Sequence, residues 1–341
     1  MMPRVAKPVN PKVQFRVMTA CLAISDQSIT EAVTILVAGR LVAFPTETVY
    51  GLGADATNAA AVARIFAAKQ RPAFNPLISH VASADAAFAL GQKNPIAAAL
   101  AAAFWPGPLT LILHRNDDCP VAMLTTAGLS KLGIRVPAHR SAQTLLQAFG
   151  KPIAAPSANP SGRISPSTAT HVLDGLEGRL DLVLDGGPCE SGLESTIIDC
   201  TGDIARLLRP GGITRDALAA ALATANCNPQ IDMAEPLADS ENPVAPGQLA
   251  SHYAPNAPVR LMANTSAADE ELIGFGAVSG AGKLALNLSP SADLVEAAAN
   301  LFSMLHAVDT ADIAKIAIAP IPDIGLGEAI NDRLRRAAAP R

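Results

Sequence analysis

The sequence predicts an α/β fold in two domains, and three observations carry this prediction. Short apolar runs of strand length recur along the chain, helical segments lie between many of them, and the chain is 341 residues long. Because the alternation is irregular, a simple doubly wound sheet is disfavoured. The hydrophobic fraction of 50% supplies material for a core and excludes disorder over most of the chain.

The first two-thirds of the chain contains helices separated by short strands. Ser28 begins an S-x-x-E capping pattern that predicts a helix from Ser28 to Gly39, and Asn58 is an N-cap for a helix ending at Ala68. Further helices are predicted near 83–90, 95–104, 139–149, 167–175 and 214–224. Strands are predicted at 40–44, 77–81, 132–136, 152–155, 181–184, 195–199 and 204–208, with a turn and a strand within 105–113.

A change of composition divides the chain. Residues 226–257 are rich in proline and lack periodicity, which is typical of a linker. Beyond them, strands at 259–263, 271–276, 283–288 and 313–319 alternate with helices near 291–307 and 326–338. We therefore predict a first domain over 22–225 and a small C-terminal α/β domain over 258–341.

The distribution of charge favours the first domain as the host of an anionic ligand. The net charge of −4 argues against a protein that grips nucleic acid through a largely positive surface. Residues 1–215 carry 19 Lys and Arg against 15 Asp and Glu, whereas residues 216–341 carry 7 against 15.

Cysteine usage and the N-terminal segment favour a cytoplasmic protein. The five cysteines are far apart, odd in number and form no C-x-x-C pair, which is typical of free thiols. The N-terminus "MMPRVAKPVNPKVQFRV" is interrupted by prolines and lacks the apolar core of a signal peptide, so a short lead-in is expected. No apolar run approaches the roughly 18–20 residues of a membrane span, and no membrane association is expected.

Common catalytic motifs are missing from the sequence. It contains no P-loop, no nucleophile elbow, no H-E-x-x-H helix and no kinase motifs. The segment "GLGAD" at 51–55 matches a dinucleotide-binding fingerprint only in part, so a Rossmann cofactor site there is disfavoured.

Six polar loops at the ends of predicted strands carry the candidate binding residues. Pro45 ends a strand, Gly51 and Gly53 permit close approach of backbone amides, and the pair Lys69 and Arg71 suits phosphate oxygens. Taken singly, such residues are usually helix caps or solvated charges. Six such loops without an acid–base dyad favour a site that binds and orients a polyanion and a small polar molecule. The loops are "PTETVYGLG" (45–53), "KQRPAFNPLISH" (69–80), "SKLGIRVP" (130–137), "APSANPSGRISP" (155–166), "LESTIID" (193–199) and "LLRPGG" (207–212).

The order of the motifs resembles that of the YrdC-type threonylcarbamoyl-AMP synthases. The shared motifs are "PTETVYGLG", "KQRP" with "NPL", "PGPLTLIL", "GIRVP", "PSANPSG", "ESTIID" and "RPGG". The resemblance covers about residues 22–256, and "APGQLASHYAP" followed by a small α/β domain is similar to the longer, two-domain members. It implies a YrdC-like twisted mixed sheet whose helices form a concave ligand cleft, and a smaller Rossmann-like C-terminal domain.

The resemblance also implies a reaction. L-Threonine, bicarbonate or CO2, and ATP would give L-threonylcarbamoyladenylate and pyrophosphate, and a separate transferase would pass the threonylcarbamoyl group to a tRNA adenosine. Mg²⁺ is expected with the triphosphate, held mainly by phosphates and water. A covalent nucleophile is not expected, because orientation and charge neutralisation would supply the catalysis.

By position in these motifs, the resemblance assigns ligand contacts to individual residues. Contacts to L-threonine are implied for Thr48, His80, Arg135, the backbone near Ala155, and Ser195. Contacts to ATP are implied for Lys69, Arg71, Asn75, Lys131, Ser157, Ser165, Arg209 and Tyr253.

Two of these assignments depend on features specific to this chain. Tyr253 would belong to a lid formed by the linker. The family commonly has threonine at the position of Lys131, so a backbone contact carries over there, and whether the lysine side chain also contacts ATP stays open. The family's Met-Lys-Tyr after the linker Pro-Gly is replaced by Gln248-Leu249-Ala250, which removes a lysine contact.

Two alternatives stay open at this point. A non-catalytic RNA-binding module would present a cationic concave face, and the acidic C-terminal third weighs against it. A carbamoyl-adenylate-forming enzyme would carry acylphosphatase and zinc-finger modules, of which this sequence shows no sign. Whether tRNA contacts the chain directly is not predicted.

Overall fold

Two β-sheets with flanking helices make up the chain. The structure is a computed structural model and describes residues 18–234, 243, 245–246, 251–311 and 313–340. The predicted lead-in at 1–17 and the segment Gln248–Ala250 lie outside the described residues. Within these ranges the chain forms a sheet of eleven strands, a sheet of three strands, and nine helices. The predicted mixed α/β class and two-domain architecture are confirmed, while the domain boundaries stay predictions.

The large sheet belongs to the first unit and the small sheet to the C-terminal unit. The strands of the large sheet are β1 (Ala20–Ala23), β2 (Val42–Phe44), β3 (Gly51–Asp55), β4 (Ile78–His80), β5 (Leu109–His114), β6 (Lys131–Arg135), β7 (Ile153–Ala154), β8 (Leu182–Asp185), β9 (Thr196–Asp199), β10 (Ala205–Arg209) and β11 (Ile231–Met233). Its helices are α1 (Asp26–Val37), α2 (Ala59–Lys69), α3 (Ala84–Leu90), α4 (Pro95–Phe104), α5 (Arg140–Phe149), α6 (Ala169–Leu176) and α7 (Arg215–Thr224). The C-terminal unit contains β12 (Val259–Arg260), β13 (Glu270–Ile273), α8 (Leu294–Thr310), β14 (Lys315–Ile318) and α9 (Leu326–Ala338).

Strand pairing in the large sheet is mixed. The order is β1-β8-β2-β3-β7-β4-β6-β5-β9-β10-β11. Parallel pairs such as β4 with β6 and β5 with β9 occur beside antiparallel pairs such as β5 with β6 and β9 with β10. Antiparallel neighbours need no crossover helix, which explains the irregular alternation in the sequence. The small sheet has the order β12-β14-β13, and both of its pairings are parallel.

Serine, threonine, asparagine or aspartate caps the N-terminus of every described helix except α5 and α9, and one cap is shifted from the predicted position. The N-cap of α1 is Ser25, and not Ser28 as predicted. Ser25 Oγ accepts a hydrogen bond from the Ser28 N–H at 3.1 Å, and Ser28 Oγ accepts one from the Ser25 N–H at 2.9 Å. Ser28 thus takes the third helical position of a reciprocal capping box. Asn58 caps α2 as predicted.

Two predicted loop segments form strands instead. The segment "GLGAD" is β3, where glycine permits close packing: a Cβ on Gly53 would lie 2.8 Å from the Phe44 ring. Residues 231–233, within the predicted linker, form β11 parallel to β10.

The predicted strand at 283–288 is wrong. In the described residues this segment makes only an isolated bridge between Gly274 and Asn287. The Glu271 carboxylate accepts hydrogen bonds from the N–H groups of Leu284 and Ala285, at 2.8 Å each. These donors are therefore not available to a strand ladder.

The core of the C-terminal unit extends into the first unit. Helices α8 and α9 pack with β14 around side chains such as Leu301 and Ile330. The same apolar cluster includes Val49 and Leu193 of the first unit and Tyr253 between the units. The two units therefore share buried apolar surface. Among the described residues, no helix combines the length and the apolar character needed to cross a bilayer.

Candidate active site

A row of polar side chains crosses one face of the large sheet. Strand register puts Arg135 of β6 opposite His80 of β4 on one side and Thr110 of β5 on the other. Thr110 in turn lies opposite Ile197 of β9, two residues after Ser195. Cross-strand neighbours, and residues two apart along a strand, share a face of the sheet. These polar groups therefore converge although they come from distant parts of the sequence.

The loop after β2 meets this row at Arg135. Arg135 Nη1 donates to Thr48 Oγ1 at 2.9 Å, and Arg135 Nη2 lies 2.7 Å from Glu47 Oε1. Thr46 Oγ1 donates to Val49 O at 2.7 Å, so the 2.8 Å hydrogen bond between Thr46 and Thr48 is donated by Thr48. A hydroxyl oxygen has two acceptor positions, and Thr48 consequently keeps one for a ligand.

Ser195 is held from two sides. Its Oγ lies 2.7 Å from Thr110 Oγ1, and Arg209 Nη2 donates to its backbone oxygen at 2.8 Å and to its Oγ at 3.2 Å. Arg209 Nη1 also donates to the backbone oxygen of Pro246 at 3.4 Å. Arg209, at the end of β10, thus ties the start of β9 to the segment between the two units.

The C-terminal end of α2 and the loop after it supply two further basic side chains; burial and the charge of Arg71 hold the pKa of Lys69 well below its usual range. Arg71 Nη2 donates to Asn75 Oδ1 at 2.5 Å, and Arg71 Nε donates to the Asn75 backbone oxygen at 3.1 Å. Lys69 is the last residue of α2, and its Nζ donates to the backbone oxygens of Ser157, at 2.5 Å, and Asn159. Lys69 therefore supports the backbone of the 155–166 loop and keeps one of its three donors.

These groups surround a cavity of about 50 Å³. Small-molecule sites usually measure roughly 300–1,000 Å³, so the cavity in this closed form is too small for a nucleotide. Part of its wall is formed by Pro246, His252 and Tyr253 of the linker. The linker thus contributes to the wall of this small cavity.

Most of the predicted binding residues meet at this cavity. Four others are buried and support lining residues: Lys69 bonds Ser157, Asn75 bonds Arg71, His80 pairs across the sheet with Arg135, and Ser165 bonds Glu194. Those that line the cavity are Thr48, Arg71, Arg135, Ala155, Ser157, Ser195, Arg209 and Tyr253.

Lys131 is the exception among the predicted residues. It begins β6, four residues before Arg135, and its Nζ pairs with Asp199 Oδ2 at 3.1 Å. Four residues of strand separate the two positions by about 13 Å. The structure does not bring the Lys131 side chain to the cavity, and a backbone contact with ATP at this position stays a prediction.

Besides Glu47, two charged residues at the site, Glu194 and Arg333, were not predicted. Glu194 Oε1 accepts from Ser165 Oγ at 2.6 Å, and Glu194 Oε2 accepts from Arg333 Nε at 2.8 Å. Burial alone would raise the pKa of the Glu194 carboxyl, but the charges of Arg333 and Arg209 and these hydrogen bonds lower it to about 2. Glu194 belongs to the motif "LESTIID", so the motif could have identified it as a site residue. Arg333 is 139 residues away in a helix without a motif, and no local signal identifies it.

Buried arginines dominate the charge of the cavity. Arg71, Arg135 and Arg209 are only 7%, 4% and 5% exposed. Burial lowers the pKa of Arg71 to about 10, and the positive charge of Arg209 contributes to this decrease, so Arg71 is still charged at neutral pH. Burial and the charge of Arg135 lower the pKa of His80 to about 3, which leaves its imidazole neutral.

The arginines differ in whether they have a carboxylate partner. Arg135 is paired with Glu47. Within the described residues, Arg71 and Arg209 bond to backbone carbonyl, amide and hydroxyl oxygens and form no ion pair. A buried guanidinium that no carboxylate contacts directly is costly, so both cations favour an anionic ligand, and the charge of Glu194 offsets this cost only in part for Arg209.

Two family models match consecutive parts of the chain. Residues 34–211 match the Sua5/YciO/YrdC model, which is described as telomere recombination. Residues 213–339 match the model described as threonylcarbamoyl-AMP synthase, C-terminal domain. The resemblance found in the sequence motifs is thereby confirmed.

Relatives align over nearly the whole chain. The threonylcarbamoyl-AMP synthase of Bacillus subtilis is 40% identical over 337 residues, which cover 94% of this chain and 95% of that protein. The synthase of Pyrococcus abyssi is 39% identical over 322 residues, covering 89% and 92%. A solved structure of P. abyssi Sua5 complexed with L-threonine matches with a TM-score of 0.83 at 36% identity, covering 94% of this chain and 97% of that chain.

A shorter relative matches just over half of the chain. Escherichia coli YciO matches with a TM-score of 0.53 at 26% identity, covering 57% of this chain and 96% of its own. On the strength of both family models and the near-complete alignment with the longer relatives, this chain belongs to the Sua5/YciO/YrdC family and has the C-terminal domain of its threonylcarbamoyl-AMP synthases.

Proposed function

We propose that this chain synthesises L-threonylcarbamoyladenylate from L-threonine, bicarbonate or CO2, and ATP, with release of pyrophosphate. One observation carries the proposal: a single cavity is lined by residues predicted for L-threonine, such as Thr48 and Arg135, and by residues predicted for ATP, such as Arg71 and Arg209. Holding two reactants side by side removes several kcal/mol from a bimolecular barrier. The P. abyssi relative was solved with L-threonine, which supports the choice of amino acid.

Arg135 is our candidate partner for the carboxylate of L-threonine. In the closed cavity its Nη2 lies 2.7 Å from Glu47 Oε1 but makes no well-directed hydrogen bond. A substrate carboxylate would offer the planar, two-pronged partner that a guanidinium prefers. The remaining acceptor position of Thr48 would take the hydrogen of the substrate hydroxyl. A site built to bond a hydroxyl rejects analogues that lack it, so L-valine should be a poor substrate.

Arg71 and Arg209 are our candidates for the phosphates of ATP, because both are buried cations without a carboxylate partner in the described residues. Lys69 would act on ATP mainly by fixing the backbone at Ser157. Among the described residues, no group of three or more His, Cys, Asp or Glu side chains could hold a metal ion. We propose that Mg²⁺ accompanies ATP, where the phosphates and water would coordinate it.

The proposed chemistry uses the reactants' own nucleophiles. The neutral amine of L-threonine attacks the carbon of CO2 and passes a proton to water, which gives a carbamate. With bicarbonate, that proton leaves together with the hydroxide of bicarbonate as water. A carbamate oxygen then attacks the α-phosphorus of ATP, the bond from that phosphorus to the bridging oxygen breaks, and pyrophosphate leaves. Buried guanidinium groups stabilise the charge that develops on the phosphates.

The linker would act as a lid over this reaction. Tyr253 and His252 are buried in the cavity wall, and Arg209 bonds the backbone of Pro246. A mixed anhydride of a carbamate and a phosphate is destroyed by water, so a closed, dry cavity protects the product. Opening of the lid would admit ATP and release the adenylate.

The proposed product is an intermediate that a second enzyme consumes. A separate transferase would pass the threonylcarbamoyl group to an adenosine of tRNA. The five cysteines are unpaired, which fits a reducing compartment, and we propose a cytoplasmic location.

The decisive experiment measures pyrophosphate release by the full chain with Mg-ATP and labelled bicarbonate. L-Threonine should stimulate release at least tenfold, label should appear in an adenylate, and L-valine should not replace L-threonine. Release that is indifferent to L-threonine would overturn the proposal. If the protein instead shifts tRNA on a gel without releasing pyrophosphate, the RNA-binding alternative is favoured.

A further inference from the structure

A buried arginine of the C-terminal unit reaches the wall of the cavity. The Arg333 side chain on α9 is 0% exposed. Its Nε donates to Glu194 Oε2 at 2.8 Å and its Nη1 to Asp332 Oδ2 at 2.7 Å. Glu194 itself lines the cavity. A fixed positive charge of the C-terminal unit therefore lies directly behind a cavity carboxylate.

Glu194 fixes two segments that carry binding residues. Its Oε1 accepts from Ser165 Oγ at 2.6 Å, and its backbone oxygen accepts from the Gly212 N–H at 3.2 Å. Ser195 follows it directly in the chain and is bonded by Arg209. A displacement of Glu194 would therefore move the loop of Ser165 and the start of β9 together.

Arg333 also supports the linker. Its guanidinium carbon lies 5.3 Å from the centre of the Tyr253 ring. The same ring stacks on Phe302 of α8, with ring centres 5.6 Å apart and planes inclined by 28°. Tyr253, which forms part of the cavity wall, is thus held by two helices of the C-terminal unit.

Stability alone is a weak explanation for this ion pair. Replacing a buried ion pair by well-packed apolar residues is often neutral or stabilising, because both charges must be desolvated. An apolar pair at 194 and 333 would join the two units as well, since their chain neighbours Leu193 and Leu334 belong to one apolar cluster. The presence of a charged pair, instead of an apolar one, at positions 194 and 333 therefore indicates a role at the cavity.

We propose that Arg333 is a positioning residue through which the C-terminal unit completes the active site, holding Glu194 and Tyr253 in the closed arrangement. The inference rests on the function proposed above and extends it to the C-terminal unit. Arg333 does not line the cavity, so it acts through these two residues. Without it, the carboxylate of Glu194 and the ring of Tyr253 would no longer share a fixed support.

The test compares three variants of the full chain with the wild type. Arg333→Lys keeps the buried charge but loses the planar guanidinium that serves both partners. Arg333→Met combined with Glu194→Met removes both charges and keeps the volume apolar. Arg335→Gln is the matched control, because Arg335 is on the same helix, is 59% exposed, and lies 3.9 Å from its partner Asp323.

Each protein is assayed for threonine-dependent and threonine-independent pyrophosphate release, with kcat and the KM for ATP, and for thermal unfolding. We expect Arg333→Lys to lower threonine-dependent kcat at least tenfold while raising the threonine-independent share of pyrophosphate release. The double methionine variant should unfold at or above the wild-type temperature and still be at least tenfold less active. Arg335→Gln should match the wild type.

Two results would overturn the inference. One is an Arg333→Lys protein whose kcat is unchanged and whose pyrophosphate release depends on L-threonine as in the wild type. The other is a double methionine variant that regains stability and full activity together, which would indicate a purely structural role. If the wild type itself releases no threonine-dependent pyrophosphate, the proposed function fails first, and the two failures are thereby distinguished.

Discussion

Replacing Thr48 by valine removes one hydroxyl from the site with little change of shape. Thr48 is fully buried, its Oγ1 accepts from Arg135 at 2.9 Å, and it donates to Thr46 at 2.8 Å. Valine keeps the volume and the branched Cβ, so the fold of the loop should survive. The variant loses the acceptor proposed for the substrate hydroxyl and the bond that orients Arg135.

The size of the effect follows from the bond that is lost. A hydrogen bond to a charged group contributes about 1.5–3 kcal/mol. Because each 1.4 kcal/mol corresponds to a factor of ten, the KM for L-threonine should rise about 10- to 150-fold. The KM for ATP should change less than about threefold, since Arg71 and Arg209 do not contact Thr48 in the described hydrogen bonds.

The assay is steady-state pyrophosphate release with each substrate varied in turn, with L-valine as the competing amino acid. Thr48→Val should also reduce the discrimination between L-threonine and L-valine. Thr125→Val is the matched control, because Thr125 is 1% exposed, donates a single 3.3 Å bond to Ala56 O, and is not a cavity residue. An equal rise in both KM values for Thr48→Val, or the same loss in Thr125→Val, would refute this reasoning.

Three further predictions concern other parts of the site. Arg71→Lys should weaken ATP binding at least tenfold in titration calorimetry, because lysine lacks the planar guanidinium group. The control is Arg40→Gln at an exposed position, which should bind ATP as the wild type does. Equal affinities for all three proteins would remove Arg71 from the site. Tyr253→Ala should release AMP from ATP without a matching yield of adenylate product. Tyr253→Phe should not, because the Tyr253 hydroxyl has no hydrogen-bond partner among the described residues. The ratio of AMP to adenylate, measured by chromatography, distinguishes the two outcomes. The pKa of Glu194 is lowered from 4.5 to about 2, so it contributes stability above pH 4.5 that is lost as the pH falls towards 2. Urea unfolding between pH 5 and 3 should therefore show a shallower pH dependence for Glu194→Gln, and identical slopes would contradict the assignment.

Local signals in the sequence were sufficient for most helices and strands. The cap at Asn58 and the apolar runs around β4, β5 and β6 depend on neighbouring residues only. The prediction failed where distant groups compete for backbone donors, as Glu271 does at 283–288. It also failed at Ser28, because a serine can close a capping box in place of glutamate.

The candidate site was predicted as a set of motifs but not as a geometry. Nothing local places Arg135 between His80 and Thr110, because strand register depends on pairing between segments distant in sequence. The motif resemblance supplied the grouping that local reasoning lacks. Arg333 was not predicted as a site residue, because an arginine in an amphipathic helix is usually solvated and only the packing of the two units buries this one.

The burial of Val49, Leu193 and Glu194 against the C-terminal helices has a consequence for any attempt to shorten the protein. A fragment that ends after the large sheet would expose an apolar surface and would leave the Glu194 carboxylate in water without its counter-ion. Trimming this chain to the 57% of its length that YciO matches would therefore call for new surface residues as well as a stop codon.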